Sequence, residues 1–165
     1  MEKNTKRKIS AVLIFLTSFI YFALAYKGYK RQGTPLTGYD KITSIIEDKG
    51  TDYRYGKNRS QCFYIRLRGS DKKLGVYRMS RAYDDLLGQF QIGDSVTAYF
   101  RDNHNTSENI NIDLVQVEKG KQILLDQEEY KEKESSLVYI GLTFGLFSVV
   151  MSYWQYKRTV QPRLI

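Results

Sequence analysis

Few side chains in this chain can do chemistry, and their spacing gives them little to work with. His104 is the only histidine, so a multi-histidine metal site cannot be assembled within one chain, and its place between Asn103 and Asn105 fits a solvated loop. Asp84 and Asp85 resemble a carboxylate pair, but neighbours on a helix point roughly 100° apart, so favourable charge at a helix start is the better account. Cys62 is the single cysteine and has no internal disulfide partner; a small residue in a strand is expected, with an intermolecular bridge or reactive thiol as the alternative. No serine sits in a G-x-S-x-G context, and no glycine-rich phosphate loop is present. The expectation is therefore a protein that is not an enzyme and holds neither metal nor cofactor.

Five tyrosines, Tyr53, Tyr55, Tyr64, Tyr77 and Tyr99, could form a stacking platform for single-stranded nucleic acid. Charge argues against it. The chain carries a net +8, yet residues 27–136 hold 19 bases and 17 acids, too near balance for phosphate binding. Nucleic acid is not an expected partner. Asn58-Arg59-Ser60 and Asn105-Thr106-Ser107 match the glycosylation sequon, a number of matches near chance.

The spacing with the clearest physical meaning serves helix packing. Gly141, Gly145, Ser148 and Ser152 recur at four, three and four residues and place small side chains on one helix face, including a G-x-x-x-G step. Ala11, Ser18 and Ala25 recur every seven residues and form a second stripe. The two stripes can pack on each other within one chain, form a homo-oligomer, or receive another membrane protein.

The elements carrying these stripes are apolar. Residues 9–26 and 137–156 contain no charge and, as helices, span roughly 27 and 30 Å, near the hydrocarbon thickness of a bilayer. The mean hydropathy of -0.47 conceals them, because it averages them with a polar middle. The tails at 1–8 and 157–165 hold seven bases and one acid, which puts both termini in the cytoplasm and the central domain outside, in a plasma (inner) membrane. Lys27, Lys30 and Arg31 beyond the first span weigh the other way. Tyr21, Tyr26 and Tyr29 near one boundary, and Tyr153, Trp154 and Tyr156 near the other, suit headgroup depth. The first span also imitates a secretory signal, with cleavage after Ala25 in Ala23-Leu24-Ala25; its length and the following bases favour an uncleaved anchor.

Between the spans, residues 32–35 read as a linker. Strands are expected at 40–47, 62–67, 74–79, 95–101, 110–117 and 122–125, with 50–60 as a hairpin loop. Helical spacing of Tyr83, Leu86, Leu87 and Phe90 predicts a helix over 81–90, N-capped by Ser80. The inward face changes between Leu114 and Val115, which suggests a bulge. The expected fold is membrane α+β: two transmembrane helices flanking a small antiparallel β-barrel-like domain of OB or SH3-like size at 36–126. Residues 127–136, rich in Glu and Lys, read as a solvated helical extension into the second span.

Gly93-Asp94 turns into Ser95-Val96-Thr97-Ala98-Tyr99-Phe100, followed by the polar loop Arg101-Asp102-Asn103-His104-Asn105. With the order span, β domain, span, this resembles a family of uncharacterised bacterial two-span membrane proteins with a small extracytoplasmic β domain, although here no proline follows Tyr99. The resemblance implies the architecture and transfers no catalytic residue. The expected function is a non-enzymatic interaction or envelope-binding module. The alternative is an accessory, signalling or immunity-type subunit acting through transmembrane helix packing. The expected partners are the lipid bilayer and a membrane protein or second copy.

Overall fold

The computed structural model describes residues 2–53, 60–78, 82–102, 110 and 112–160, and within them the side chains from 5 to 158. The chain forms two compact units, Met1–Gly33 with Lys131–Ile165, and Thr34–Tyr130. Ser80, Tyr55, His104 and most of both sequons lie outside the described residues.

The helical unit consists of α1 (Glu2–Gln32) and most of α3 (Gln127–Val160). Both are long and apolar enough to cross a membrane. α1 starts before residue 9 and continues past residue 26, because nothing breaks the helix until Gly33 and Pro35. Its outward residues are uncovered: Phe19 is 57% exposed and Ile20 60%, as are Leu146 at 60% and Phe147 at 61% on α3. An apolar face of that extent is a liability in water and ordinary in lipid.

The second unit begins with a 3-10 turn at Leu36–Gly38 and, among the described residues, holds six strands: β1 (Asp40–Tyr53), β2 (Gln61–Leu67), β3 (Lys73–Val76), β4 (Ser95–Asp102), β5 (Ile112–Lys119) and β6 (Gln122–Leu125). The helix α2 (Asp84–Gln89) stands between β3 and β4. β1 does not end at residue 47 but runs on to Tyr53, taking in residues expected to form the loop. A register shift between Ile46 and Asp48 leaves Glu47 without an opposite residue, and such a bulge bends a strand. The half before the bend pairs with β4, from Asp40 opposite Phe100 to Ile45 opposite Ser95. The half after it pairs with β2, ending at Tyr53 opposite Gln61.

The turn before β4 meets this bend. Gly93 has φ +94, a conformation glycine adopts without the clash a Cβ brings. Its N–H donates to Ile46 O at 2.8 Å, and Ile46 N–H donates to Asp94 O at 2.9 Å. The Gly-Asp turn thus holds the point where β1 changes neighbour.

The sheet order is β3-β2-β1-β4-β5-β6, and β3 pairs again, in parallel, with β5 through Leu74–Ile112 and Gly75–Asp113. The pairings therefore return from β5 to β3. Gly75 is what allows this: a Cβ there would sit 2.2 Å from Ile110 Cγ2. On β5 the ladder skips Val115, which falls between Leu114 opposite Phe100 and Gln116 opposite Tyr99, so the face changes where the apolar pattern does.

The core lies inside this sheet. Phe63, Ile65 and Leu67 from β2, Val96 and Ala98 from β4, and Leu114 and Val117 from β5 meet Tyr83, Leu86 and Phe90 from the α2 region. The helix starts at Asp84 rather than 81, and its N-cap, Tyr83, makes no side-chain capping bond. Tyr83 instead lies buried in the core, its hydroxyl donating to Gln61 O at 2.9 Å and accepting from Arg78 N–H at 3.0 Å. Cys62, expected in a strand, is fully buried in β2.

Candidate functional site

The small-residue seam lies wholly in the helical unit. Gly141 is buried where a Cβ would come within 2.7 Å of Tyr21 O and 2.9 Å of Ala25 Cβ. Gly145 faces the Phe22 ring, with 2.8 Å left for a Cβ. Ser152 is buried and donates to Ala11 O at 2.8 Å, so α1 and α3 share a hydrogen bond as well as close backbones. Ser148 has another role: it is half-buried and donates to Phe144 O within its own helix. Ser18 is 1% exposed and donates to Phe15 O. Gly28 belongs to the seam too, since a Cβ there would lie 2.9 Å from Glu134 O. It falls three residues after Ala25 on the same helix face, a spacing that could have revealed it.

Glu134 departs from the expected solvated extension. It is 1% exposed, with Arg31 Nη1 3.6 Å from Oε1, and its Oε2 makes no hydrogen bond. The reason is tertiary: α1 runs alongside this turn of α3 and covers it. Gln127 and Tyr130, also in the expected extension, are buried as well, and Gln127 Nε2 donates to Thr34 O at 3.0 Å.

On the strand unit, one outer face combines charged and aromatic groups. Tyr64 OH donates to Asp48 Oδ2 at 3.0 Å, and Arg66 lies 4.0 Å from both Glu47 and Asp48. Lys73 pairs with Asp52, and its Nζ sits 4.3 Å from the centre of the Tyr64 ring. Burial and the neighbouring Asp48 push the Tyr64 phenol above its ordinary value, and the bond to Asp52 raises the Lys73 ammonium. At neutral pH the phenol is therefore neutral and the amine charged. Such a surface can bind; neither group is poised as a nucleophile or base.

A second cluster ties the segment after β3, α2 and the first turn of α3 together. Arg78 grips Glu129 with two bonds, Nε to Oε1 at 2.6 Å and Nη2 to Oε2 at 2.8 Å. Its Nη1 donates to both oxygens of Asp85, at 2.6 and 2.8 Å, and to Ala82 O at 3.0 Å. Asp85 is held below the ordinary aspartate range by its bond to Arg78, and the guanidinium is raised mainly by Glu129. Asp84 and Asp85 thus part company: only Asp85 reaches the arginine. The sequence gives no hint of Arg78 and Glu129, because the pair is separated by 51 residues. Lys49 was missed for the same reason; it donates to Leu87 O at 2.6 Å and to Phe90 O, satisfying carbonyls at the end of α2.

Among the described residues, no group of three His, Cys, Asp or Glu is placed to hold a metal ion. No protein-family model matches the chain, and no curated protein matches it.

Proposed function

We propose that the chain is an integral protein of the plasma (inner) membrane, with two spans, both termini cytoplasmic, and an extracytoplasmic β domain that binds another protein or an envelope component. The observation that carries this reading is the contrast between the units. One exposes apolar side chains along two helices of spanning length, while the other buries most of its apolar residues, Ile92 and Ile123 excepted, and presents ions and tyrosine. The architecture of the resembled two-span family accords with it.

Within that reading the β domain is a small barrel. The pairings β1–β2–β3–β5–β4–β1 return to their start, and a helix between β3 and β4 carries Leu86 into the core, an arrangement that favours the OB type over the SH3-like type. OB barrels bind along strands 2 and 3, where this chain carries Tyr64, Arg66 and Lys73. Asp48, Asp52 and Glu47 beside them cancel the positive charge, which favours a polypeptide or glycan over a nucleic acid. The first span is retained in this reading, because Ala25 is packed against Gly141 within a helix that continues unbroken to Gln32.

The test is crosslinking of the full chain in native membranes, followed by pull-down. A partner recovered with the wild type and lost with a Tyr64→Ala, Arg66→Glu, Lys73→Glu variant is the expected result. Recovery of bulk lipid and abundant contaminants alone counts against the proposal. A partner retained after deletion of residues 36–126 favours the alternative, a subunit acting through its helices. That alternative needs a helix face other than the one lined by Gly141 and Gly145, which α1 covers.

A further inference from the structure

Near the ends of the chain, α1 and α3 leave an open cleft of about 400 Å³ between them. Val12 and Phe15 on α1 and Val149, Tyr153 and Tyr156 on α3 line it, with the buried Ala11 and Ser152 beneath. No lining residue is charged, and the Ser152 hydroxyl already donates to Ala11 O at 2.8 Å. The walls are open to the surroundings, Val12 being 57% exposed and Phe15 44%. In the hydrocarbon layer the apolar chain at hand to fill such a cleft is a lipid tail.

Two lysines at its end say which lipid. At about 100° per residue, Lys8 falls between Val12 and Phe15 round α1, and Lys157 falls roughly 40° beyond Tyr153 round α3. The helices are tied at this level, Gln155 Nε2 donating to Ser10 Oγ at 3.3 Å. Each lysine is the first residue outside an uncharged span, about 1.5 Å along the axis from Ile9 or Tyr156. The interfacial layer is roughly 5–8 Å deep, so both lysines fall within it. Among the described residues neither ammonium group makes an ion pair or hydrogen bond, and no acid occurs in residues 3–8 or 157–165. Arg158 is placed differently: it lies about 180° from Val149, its guanidinium 3.3 Å from the centre of the Trp154 ring. We propose that the cleft seats an anionic phospholipid of the leaflet on the side of the termini. One acyl chain lies along Val12, Phe15 and Val149, and Lys8 and Lys157 meet the phosphodiester. The inference rests on the two-span reading and adds to it that bases which orient the chain also select a lipid.

The experiment places the full chain in phosphatidylcholine nanodiscs with increasing phosphatidylglycerol and counts retained lipid by native mass spectrometry. The wild type is expected to keep phosphatidylglycerol preferentially. Lys8→Gln and Lys157→Gln should each lower that preference about fivefold and the double variant about 25-fold, with Arg158→Gln lowering it about twofold at most. Val149→Trp fills the cleft and leaves both bases, so it should lower retention of either lipid severalfold. No preference in the wild type, or an undiminished one in the double variant, overturns the proposal. So does unchanged retention in Val149→Trp. A loss in Arg158→Gln equal to that in Lys157→Gln overturns it as well, since the attraction would then be diffuse. A dimer that carries no lipid assigns the cleft to a second copy and likewise overturns it. Alkaline carbonate extraction separates the two levels. A chain that stays in the membrane without lipid preference sinks this inference alone, whereas a chain that is extracted sinks the two-span reading with it.

Discussion

Gly75 shows how much one missing methyl group can decide. Its backbone lies against Ile110, and a Cβ would stand 2.2 Å from Cγ2, far inside contact distance. Gly75→Ala must push β3 away from the segment leading into β5, at the one place where those strands pair. The expected cost is about 1–3 kcal/mol, as for other overpacked sites. Urea unfolding of the full chain in detergent, followed by tyrosine near-ultraviolet dichroism, checks it; a midpoint equal to wild type would mean that the pairing is not needed for stability. Asp85 carries a pH signature. Its folded-state pKa lies below the ordinary value near 3.9, through its bond to Arg78. The stabilisation is complete above that value and disappears as pH falls through the folded one. Asp85→Asn should therefore be less stable than wild type at neutral pH, by roughly 1 kcal/mol or less given the exposure of the pair. The difference should shrink below about pH 4. A gap that widens on acidification contradicts the assignment.

At the scale of elements, the helix seam and the bent strand do comparable work. α1 and α3 approach closely because Gly28, Gly141 and Gly145 carry no side chain, and Ser152 adds one bond to Ala11. Ser152→Ala removes only that bond, at a cost of about 0.6 kcal/mol. Gly145→Leu places a branched side chain against the Phe22 ring and must separate the helices. Disulfide trapping between cysteines introduced at positions 11 and 152 should report the difference, slowing severalfold in Gly145→Leu. An unchanged trapping rate would make the stripe incidental. In the strand unit, β1 serves two neighbours because Glu47 bulges and the Gly93–Asp94 turn binds Ile46 at the bend. Arg78, two residues past β3, then joins α2 to the first turn of α3, where Gln127 and Tyr130 are buried.

For the whole molecule, the expected topology is testable by fusion. Green fluorescent protein attached to either terminus should fluoresce, and alkaline phosphatase inserted at the Gly120 turn should be active. The opposite pattern would invert the protein in the membrane. N-terminal sequencing of the purified chain should find the first span still attached, while a chain starting at Tyr26 would remove α1 and leave Gly141 and Gly145 without the helix that covers them.

The two apolar helices, all six strands and the short helix were legible in the sequence, because each depends on a local repeat. Uninterrupted apolar runs mark 9–26 and 137–156, alternation marks Phe63, Ile65 and Leu67, and helical spacing marks Tyr83, Leu86 and Phe90. Even the skipped residue at Val115 left a trace, as a change of apolar face. Contacts between distant segments leave no such repeat, and only the folded chain decided them: the pairing of β3 with β5, the grip of Arg78 on Glu129, the reach of Lys49 to the end of α2, and the burial of Glu134. Each depends on which surface another part of the chain happens to cover, a property that no window of neighbouring residues contains.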